Sequence, residues 1–198
     1  AKINYMFGGK VKLPLTILTR FGAGSRSGAQ HAQAFYSIFT HIPGLKVVVP
    51  SDPYTAKGLL ISAIRDDDPV VVADNRRFLN ITGEVPEDIY TIPIGKSNIV
   101  KKGADITLIG VSAMTSICMS AASVLAKEGI NVEVIDLLSL SPLDEDTILS
   151  SIKKTSRVIV VDEDTPRCGI ASDIAALVAS EAFDYLDAPP KIVTAPHT

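Results

Sequence analysis

Hydrophobic positions come in short dense runs separated by amphipathic stretches. Leu13 to Thr19, Leu45 to Val49 and Val70 to Ala73 are apolar and rich in β-branched residues. Such runs suit strands buried on both faces of a parallel sheet. Pro50 ends the second, and Asp68-Pro69 fixes the start of the third. Between them a helix is predicted, with Ser51 as its cap and Pro53 in its first turn. Ala56, Leu59, Leu60, Ala63 and Ile64 fall on one apolar stripe of that helix. The result is a βαβ unit.

From Phe78 to Ile99 the periodicity fails. Gly83, Pro86, Pro93 and Gly95 punctuate a polar stretch that reads as an interdomain linker. The alternation then restarts. Strands are expected at 105–111, 131–137, 157–161 and 191–193, and helices at 115–127, 144–154 and 170–182. On the second of these helices, Lys153 and Lys154 suit the negative end of the dipole. On the first, Ile117, Ala121, Val124 and Leu125 are expected to face the core. The fold class is therefore α/β: two open, mostly parallel sheets with helices on both faces. The boundaries are 1–80 for the first domain, 81–98 for the linker and 99–198 for the second. The first unit has few strands and starts abruptly. The chain is expected to be part of a longer polypeptide, with an apolar surface normally covered.

Composition narrows the function. Of 198 residues, 46% are hydrophobic and 21% charged, and the net charge is −3. That balance is globular, and no Lys/Arg cluster would track a nucleic acid. The two cysteines, Cys118 and Cys168, and the three histidines, His31, His41 and His197, lie in no metal-ligand spacing. No apolar run approaches bilayer-spanning length, and an intracellular compartment is expected.

Gly22-Ala23-Gly24-Ser25-Arg26-Ser27-Gly28 follows the first strand, where open α/β sheets place ligands. Its third glycine comes one place late for a dinucleotide fingerprint. His31 follows, flanked by Gln30 and Gln33. An imidazole there can donate or accept a proton near neutral pH, or simply be a solvated side chain. His41 reads as a helix C-terminal cap. Asp66-Asp67-Asp68 closes a helix, which is electrostatically unfavourable unless solvent or a hard cation offsets it. Asp162-Glu163-Asp164 reads as an N-terminal cap.

The run from Gly28 through Gln33, the stretches His41–Ser51 and Ala56–Leu60, and Ala63–Val71 together resemble one family. It is the β subunit of the decarboxylating component of pyruvate, branched-chain 2-oxo acid and acetoin dehydrogenase complexes, within the wider transketolase-like group. The likeness covers essentially the whole chain. It implies thiamine-diphosphate-dependent oxidative decarboxylation of a 2-oxo acid, with acyl transfer to a lipoyl group. Residues 1–80 would then be the later half of the pyrimidine-binding domain, and 99–198 the transketolase C-terminal domain.

The resemblance further implies a heterotetramer of α and β subunits around a lipoyl-bearing acyltransferase core, in the bacterial cytoplasm or the mitochondrial matrix. The α subunit would hold Mg2+ and the diphosphate, and the activating glutamate would lie upstream of Ala1, so no residue of this chain is assigned to the cofactor. His31 matches the family's active-site histidine. Leu13, Leu15, Thr16, Ala63, Asp66 and Asp68 match positions that hold a structural K+. The chain departs from many relatives at Leu138, Ser141 and Arg167-Cys168-Gly169, and carries Asp68 where asparagine is common. The alternatives are a transketolase or deoxyxylulose-phosphate-synthase-like transferase, and a non-catalytic docking module.

Overall fold

A computed structural model describes residues 1–23 and 27–197. In chain order the first elements are α1 (Ile3–Met6), β1 (Thr16–Phe21), α2 (Ala29–Ala32), α3 (Tyr36–Thr40), β2 (Lys46–Val48), α4 (Pro53–Arg65) and β3 (Val70–Asn75). Then come β4 (Asn98–Lys101), β5 (Ile106–Val111), α5 (Met114–Leu125), β6 (Val132–Leu137), β7 (Ser139–Ser141), α6 (Glu145–Thr155), β8 (Val158–Val161), α7 (Ile170–Glu181) and β9 (Lys191–Val193). The chain forms two compact units. One contains Ala1–Lys96 and Leu138–Leu143, the other Ser97–Leu137 and Asp144–Thr198.

In the first unit the strand order is β1-β3-β2-β7. β1 and β2 run parallel to β3, and β7 adds an antiparallel edge. α4 starts on a capping box. Thr55 N–H donates to Asp52 Oδ1 at 2.6 Å, and Asp52 N–H donates to Thr55 Oγ1 at 3.0 Å. The cap is thus Asp52 and not Ser51, because only the pair three residues apart can satisfy both free N–H groups reciprocally. The buried face of α4 runs through Thr55, Gly58, Leu59 and Ala63, while Ile64 turns out to solvent. Leu59 and Ala63 pack with Val48, Val70, Val72 and Leu138.

Residues 81–96 carry no helix or strand, yet part of this stretch is tied to α4. Tyr90 stacks on Tyr54 at 4.5 Å, and its hydroxyl donates to the Tyr54 carbonyl. Ile92 N–H donates to Ser62 Oγ at 3.1 Å. The Lys57 ammonium reaches the carbonyls of Glu87 and Asp88.

In the second unit the order is β4-β6-β5-β8-β9, parallel except for β4. Every residue of β6 is buried. That is expected of an inner parallel strand, but Glu133 and Asp136 are charged exceptions. Glu133 is resolved by a polar chain. Ser151 Oγ donates to its Oε1 at 2.5 Å, Lys154 Nζ bonds its Oε2, and the Gly103 N–H approaches at 3.3 Å. Thr107 Oγ1 then links Ser151 and Thr155, each at 2.7 Å. Burial pushes the Glu133 carboxyl up, but these hydrogen bonds together outweigh it and hold it below the usual carboxylate range.

A carboxyl lowered in the folded state stabilises the fold above its unfolded pKa, and that contribution fades as pH falls through the folded value. Lys154→Met leaves Glu133 charged, buried and short of a partner. We expect a loss of about 1–2 kcal/mol at neutral pH, discounted because Lys154 is half exposed. The deficit shrinks as pH falls and Glu133 protonates. Urea titrations of both proteins across the acid range check this; a deficit that does not change with pH refutes it.

One expectation fails in part in this unit, and another fails outright. The buried side of α5 is Met114, Thr115, Cys118 and Ala122; of the expected stripe, Ala121 and Leu125 pack half-buried against the same core, while Ile117 and Val124 are exposed. The small residues are the ones that let the helix approach the sheet. Burial, with the nearby Asp136 carboxylate second, pushes the Cys118 thiol up to about 12. The second failure is Asp162-Glu163-Asp164, which does not cap α7: that helix starts after Gly169. Instead Asp164 N–H donates to Asp162 Oδ1 and Thr165 N–H to Asp164 Oδ1, so the acids shape their own turn. Among the described residues no helix is long and apolar enough to cross a membrane.

Candidate functional site at the carboxyl edge of the first sheet

β1 and β3 end level with each other, with Phe21 opposite Asn75. Gly22 follows at φ +99, and a Cβ there would stand 2.7 Å from Asn75 Oδ1, so the position demands glycine on both counts. Asn75 is fully buried, and its Oδ1 accepts from Arg77 N–H at 2.9 Å, starting a 3-10 turn over Arg76–Asn80. Gly24, Ser25 and Arg26 of the glycine loop lie outside the described residues. Beyond them, Ser27 Oγ accepts from Arg76 Nη1 at 3.3 Å.

Gly28, at φ +92, then opens α2 with the Gln30 amide folded against it. His31 N–H donates to Gly28 O at 3.2 Å, and the His31 side chain is exposed. After Gln33 the chain returns to the core through Ala34 and Tyr36. The Tyr36 ring meets Phe21 edge-on at 4.9 Å. His31 is thus presented on one turn of helix, tied before it through Ser27 to Arg76 beyond β3 and after it through Tyr36 to Phe21 at the end of β1. His41 sits at the C-cap of α3, as its sequence position suggested.

Charge at this edge is mixed. Arg20 and Asp74 are register partners, with Nε 3.6 Å from Oδ2. Burial pushes the Asp74 carboxyl up, opposed by Arg20 and by the Asn75 N–H.

The acidic end of α4 lies apart from His31 in sequence and is neutralised internally. Lys46 Nζ stands 2.7 and 2.9 Å from the two Asp66 oxygens and 3.2 Å from Asp68 Oδ2. Asn4 Nδ2 donates to Asp68 Oδ1 at 3.0 Å. Partial burial lowers the Lys46 pKa, but the two carboxylates outweigh it and hold it above the usual lysine value. The carbonyls of Leu13, Leu15 and Ala63 each accept one backbone hydrogen bond, from Leu15, Val70 and Asp66. Each keeps a second lone pair. Thr16 continues this strand opposite Val70. The six positions therefore gather where β1 begins beside the 66–70 turn. Among the described residues no group of three or more His, Cys, Asp or Glu side chains is placed to hold a metal ion.

The fold class is α/β in two units, each built on a mostly parallel sheet. Residues 1–81 match the family Transketolase, pyrimidine binding domain, and residues 95–198 match Transketolase, C-terminal domain. The chain belongs to the transketolase family.

It is 56% identical over all its 198 residues to the β subunit of acetoin:2,6-dichlorophenolindophenol oxidoreductase of Bacillus subtilis (strain 168), covering 58% of that protein. It is 52% identical to the same-named subunit of Cupriavidus necator, covering 59% of it. It is 43% identical over 194 residues to the pyruvate dehydrogenase E1 component subunit beta of Rickettsia felis, covering 60% of it. The chain thus spans about three fifths of the length of these relatives. A solved structure titled split gene transketolase, inactive beta4 tetramer, superposes with a TM-score of 0.76 over 94% of this chain and 59% of that one, at 24% identity. That likeness speaks for the fold alone.

Sequence reasoning missed Asn75 and Arg76. The available signal was a polar Asp-Asn-Arg-Arg run straight after an apolar strand.

Proposed function

We propose that this chain is the later part of the β subunit of a thiamine-diphosphate-dependent dehydrogenase. It would cleave a small 2-oxo acid oxidatively and pass the acyl group to a lipoyl arm, working with an α subunit, a second β subunit and an acyltransferase core. One observation carries this reading: the whole chain aligns at 43–56% identity with β subunits named for pyruvate and acetoin oxidation. The exposed His31 on the carboxyl edge of the pyrimidine-binding domain is consistent with it.

When bound, thiamine diphosphate supplies the carbon nucleophile and electron sink. What this chain contributes is position. The anchored turn of α2 holds the His31 imidazole at the edge, where it can orient the substrate and hold or release a proton. Gln30 and Gln33 flank it. The bacterial cytoplasm is the proposed setting, or the matrix as for the mitochondrial pyruvate dehydrogenase relative of Dictyostelium discoideum.

A second substrate reading rests on the identities themselves. The two acetoin-named relatives match at 56% and 52%, and the pyruvate-named ones at 42–44%. This favours acetoin, a neutral hydroxyketone, as a substrate. The transferase alternative has only a likeness of fold behind it.

The deciding experiment uses the full-length β subunit assembled with its α partner, thiamine diphosphate and Mg2+. Pyruvate, branched-chain 2-oxo acids and acetoin are offered with an artificial electron acceptor. Turnover of any of them supports the dehydrogenase. Inactivity on all of them by a cofactor-loaded assembly, with ketol transfer between sugars, installs the transferase.

We further propose a structural K+ on the carbonyls of Leu13, Leu15 and Ala63, with Thr16, Asp66 and Asp68 completing the site beside Lys46. The assembly is then expected to melt several degrees higher in KCl than in choline chloride of equal ionic strength. Equal melting temperatures mean that the Lys46 ammonium alone neutralises the site.

A further inference from the structure

The glycine loop before His31 is held at both ends by two consecutive residues that lie at the end of the central strand β3. At its start, Gly22 packs on the buried Asn75 side chain so closely that even a methyl group would collide with it. After residues 24–26, Ser27 accepts from the guanidinium of Arg76. Register explains the first contact: β1 and β3 are parallel neighbours that end level, so Gly22, directly after β1, lies beside Asn75, the last residue of β3. Asn75 is itself immobilised by its bond from Arg77 N–H.

We propose that Arg76 is a positioning residue for His31, fixing through Ser27 the point at which α2 begins. This inference rests on the proposed role of His31.

Stability alone does not account for an arginine here. Its Nε is buried without a hydrogen-bond partner, and its bond to Ser27 lies at the long end of the normal range. Among the described residues Arg76 makes no ion pair, unlike Arg20 one strand away. A guanidinium has a rigid, planar donor array, so it can fix the direction of a loop where a lysine would only supply charge. Between Ser27 and the imidazole there is only Gly28, with the Gln30 side chain folded against it, and a single helical turn. A displacement at Ser27 is therefore passed to His31 nearly undiminished, and errors of about 1 Å at a reacting group can cost on the order of 100-fold in rate.

The test uses the full-length α–β assembly with thiamine diphosphate, comparing wild type, Arg76→Ala, Arg76→Lys, His31→Ala and the Arg76→Ala/His31→Ala double variant. Arg76→Ala is expected to lower kcat roughly ten- to hundred-fold with little change in KM. Its melting temperature should be unchanged, and millimolar guanidinium should restore part of the rate where Arg76→Lys does not. The double variant should be no slower than His31→Ala, because a positioning residue has nothing left to position.

Wild-type kcat in Arg76→Ala overturns the proposal, as does a loss that multiplies with that of His31→Ala. A KM rise confined to anionic substrates, with kcat intact, overturns it in favour of direct substrate binding. An active His31→Ala sinks the reading of His31 and this inference with it. An inactive His31→Ala beside an active Arg76→Ala sinks the inference alone.

Discussion

His31→Ala, in the full-length β subunit assembled with its α partner, is expected to reduce kcat by roughly 10²–10⁴-fold while leaving melting temperature and cofactor affinity within error of wild type. The stability half of this follows from where the ring lies. It is exposed, and its replacement opens no cavity. The anchors of its segment are Gly22 against Asn75 and Tyr36 against Phe21, and neither involves the imidazole. The rate half follows from chemistry. An imidazole carries one nitrogen that can donate and one that can accept a hydrogen bond or a proton during turnover, which alanine cannot. His31→Asn keeps a hydrogen-bonding group without a titrating one. If Asn recovers most of the lost rate, His31 orients; if Asn is as slow as Ala, His31 moves a proton. Steady-state turnover with the preferred substrate decides, and wild-type turnover in the alanine variant would remove His31 from the site.

Residues 1–198 expressed alone are expected to self-associate. β1 is the edge strand of its sheet, pairing only with β3 among the described residues. A strand of a parallel sheet is normally covered on both faces. Here Ile17 and Leu18, which point to opposite faces, are 38% and 56% exposed, and Leu15 is 47% exposed. Tyr5, Met6 and Phe7 are exposed as well. An unprotected apolar edge of this kind templates pairing with another chain. Light scattering at rising concentration should show mass growing beyond the monomer, and Leu18→Lys should suppress that growth by charging the edge. A chain that stays monomeric at high concentration counters the expectation.

The parallel strands were legible in the sequence because burial on both faces leaves unbroken β-branched runs, as in Val70–Ala73. β4 and β7 were not, since Asn98–Lys101 and Ser139–Ser141 are short, polar and held chiefly by backbone pairing at sheet edges. Large apolar residues mislead on α5, where close packing selects Cys118 and Ala122 for the inner face and leaves Ile117 outside. At the site, His31 was marked by its place after a strand-end glycine loop, and its role rested on the resemblance of the Gln-His-Ala-Gln block around it to a family. Its geometric supports, Asn75 and Arg76, lie more than forty residues downstream, and only the pairing of β1 with β3 makes them neighbours. The acidic end of α4 was recognisably uncomfortable in sequence, but Lys46, twenty residues upstream, could not be nominated as its partner without the fold.

β7 has a consequence for how such a protein can be divided. Leu138–Leu143 belong to the first unit although the chain has by then built two central strands of the second. No single scission frees either unit intact. A cut after Lys96 strips the first sheet of its antiparallel border and exposes the backbone of β2. A gene recombined at that point would likewise inherit an incomplete module. The two units are therefore better regarded as one heritable block, stitched together in sequence, than as interchangeable beads, and only a permuted chain that carries 138–143 with the first unit would separate them cleanly.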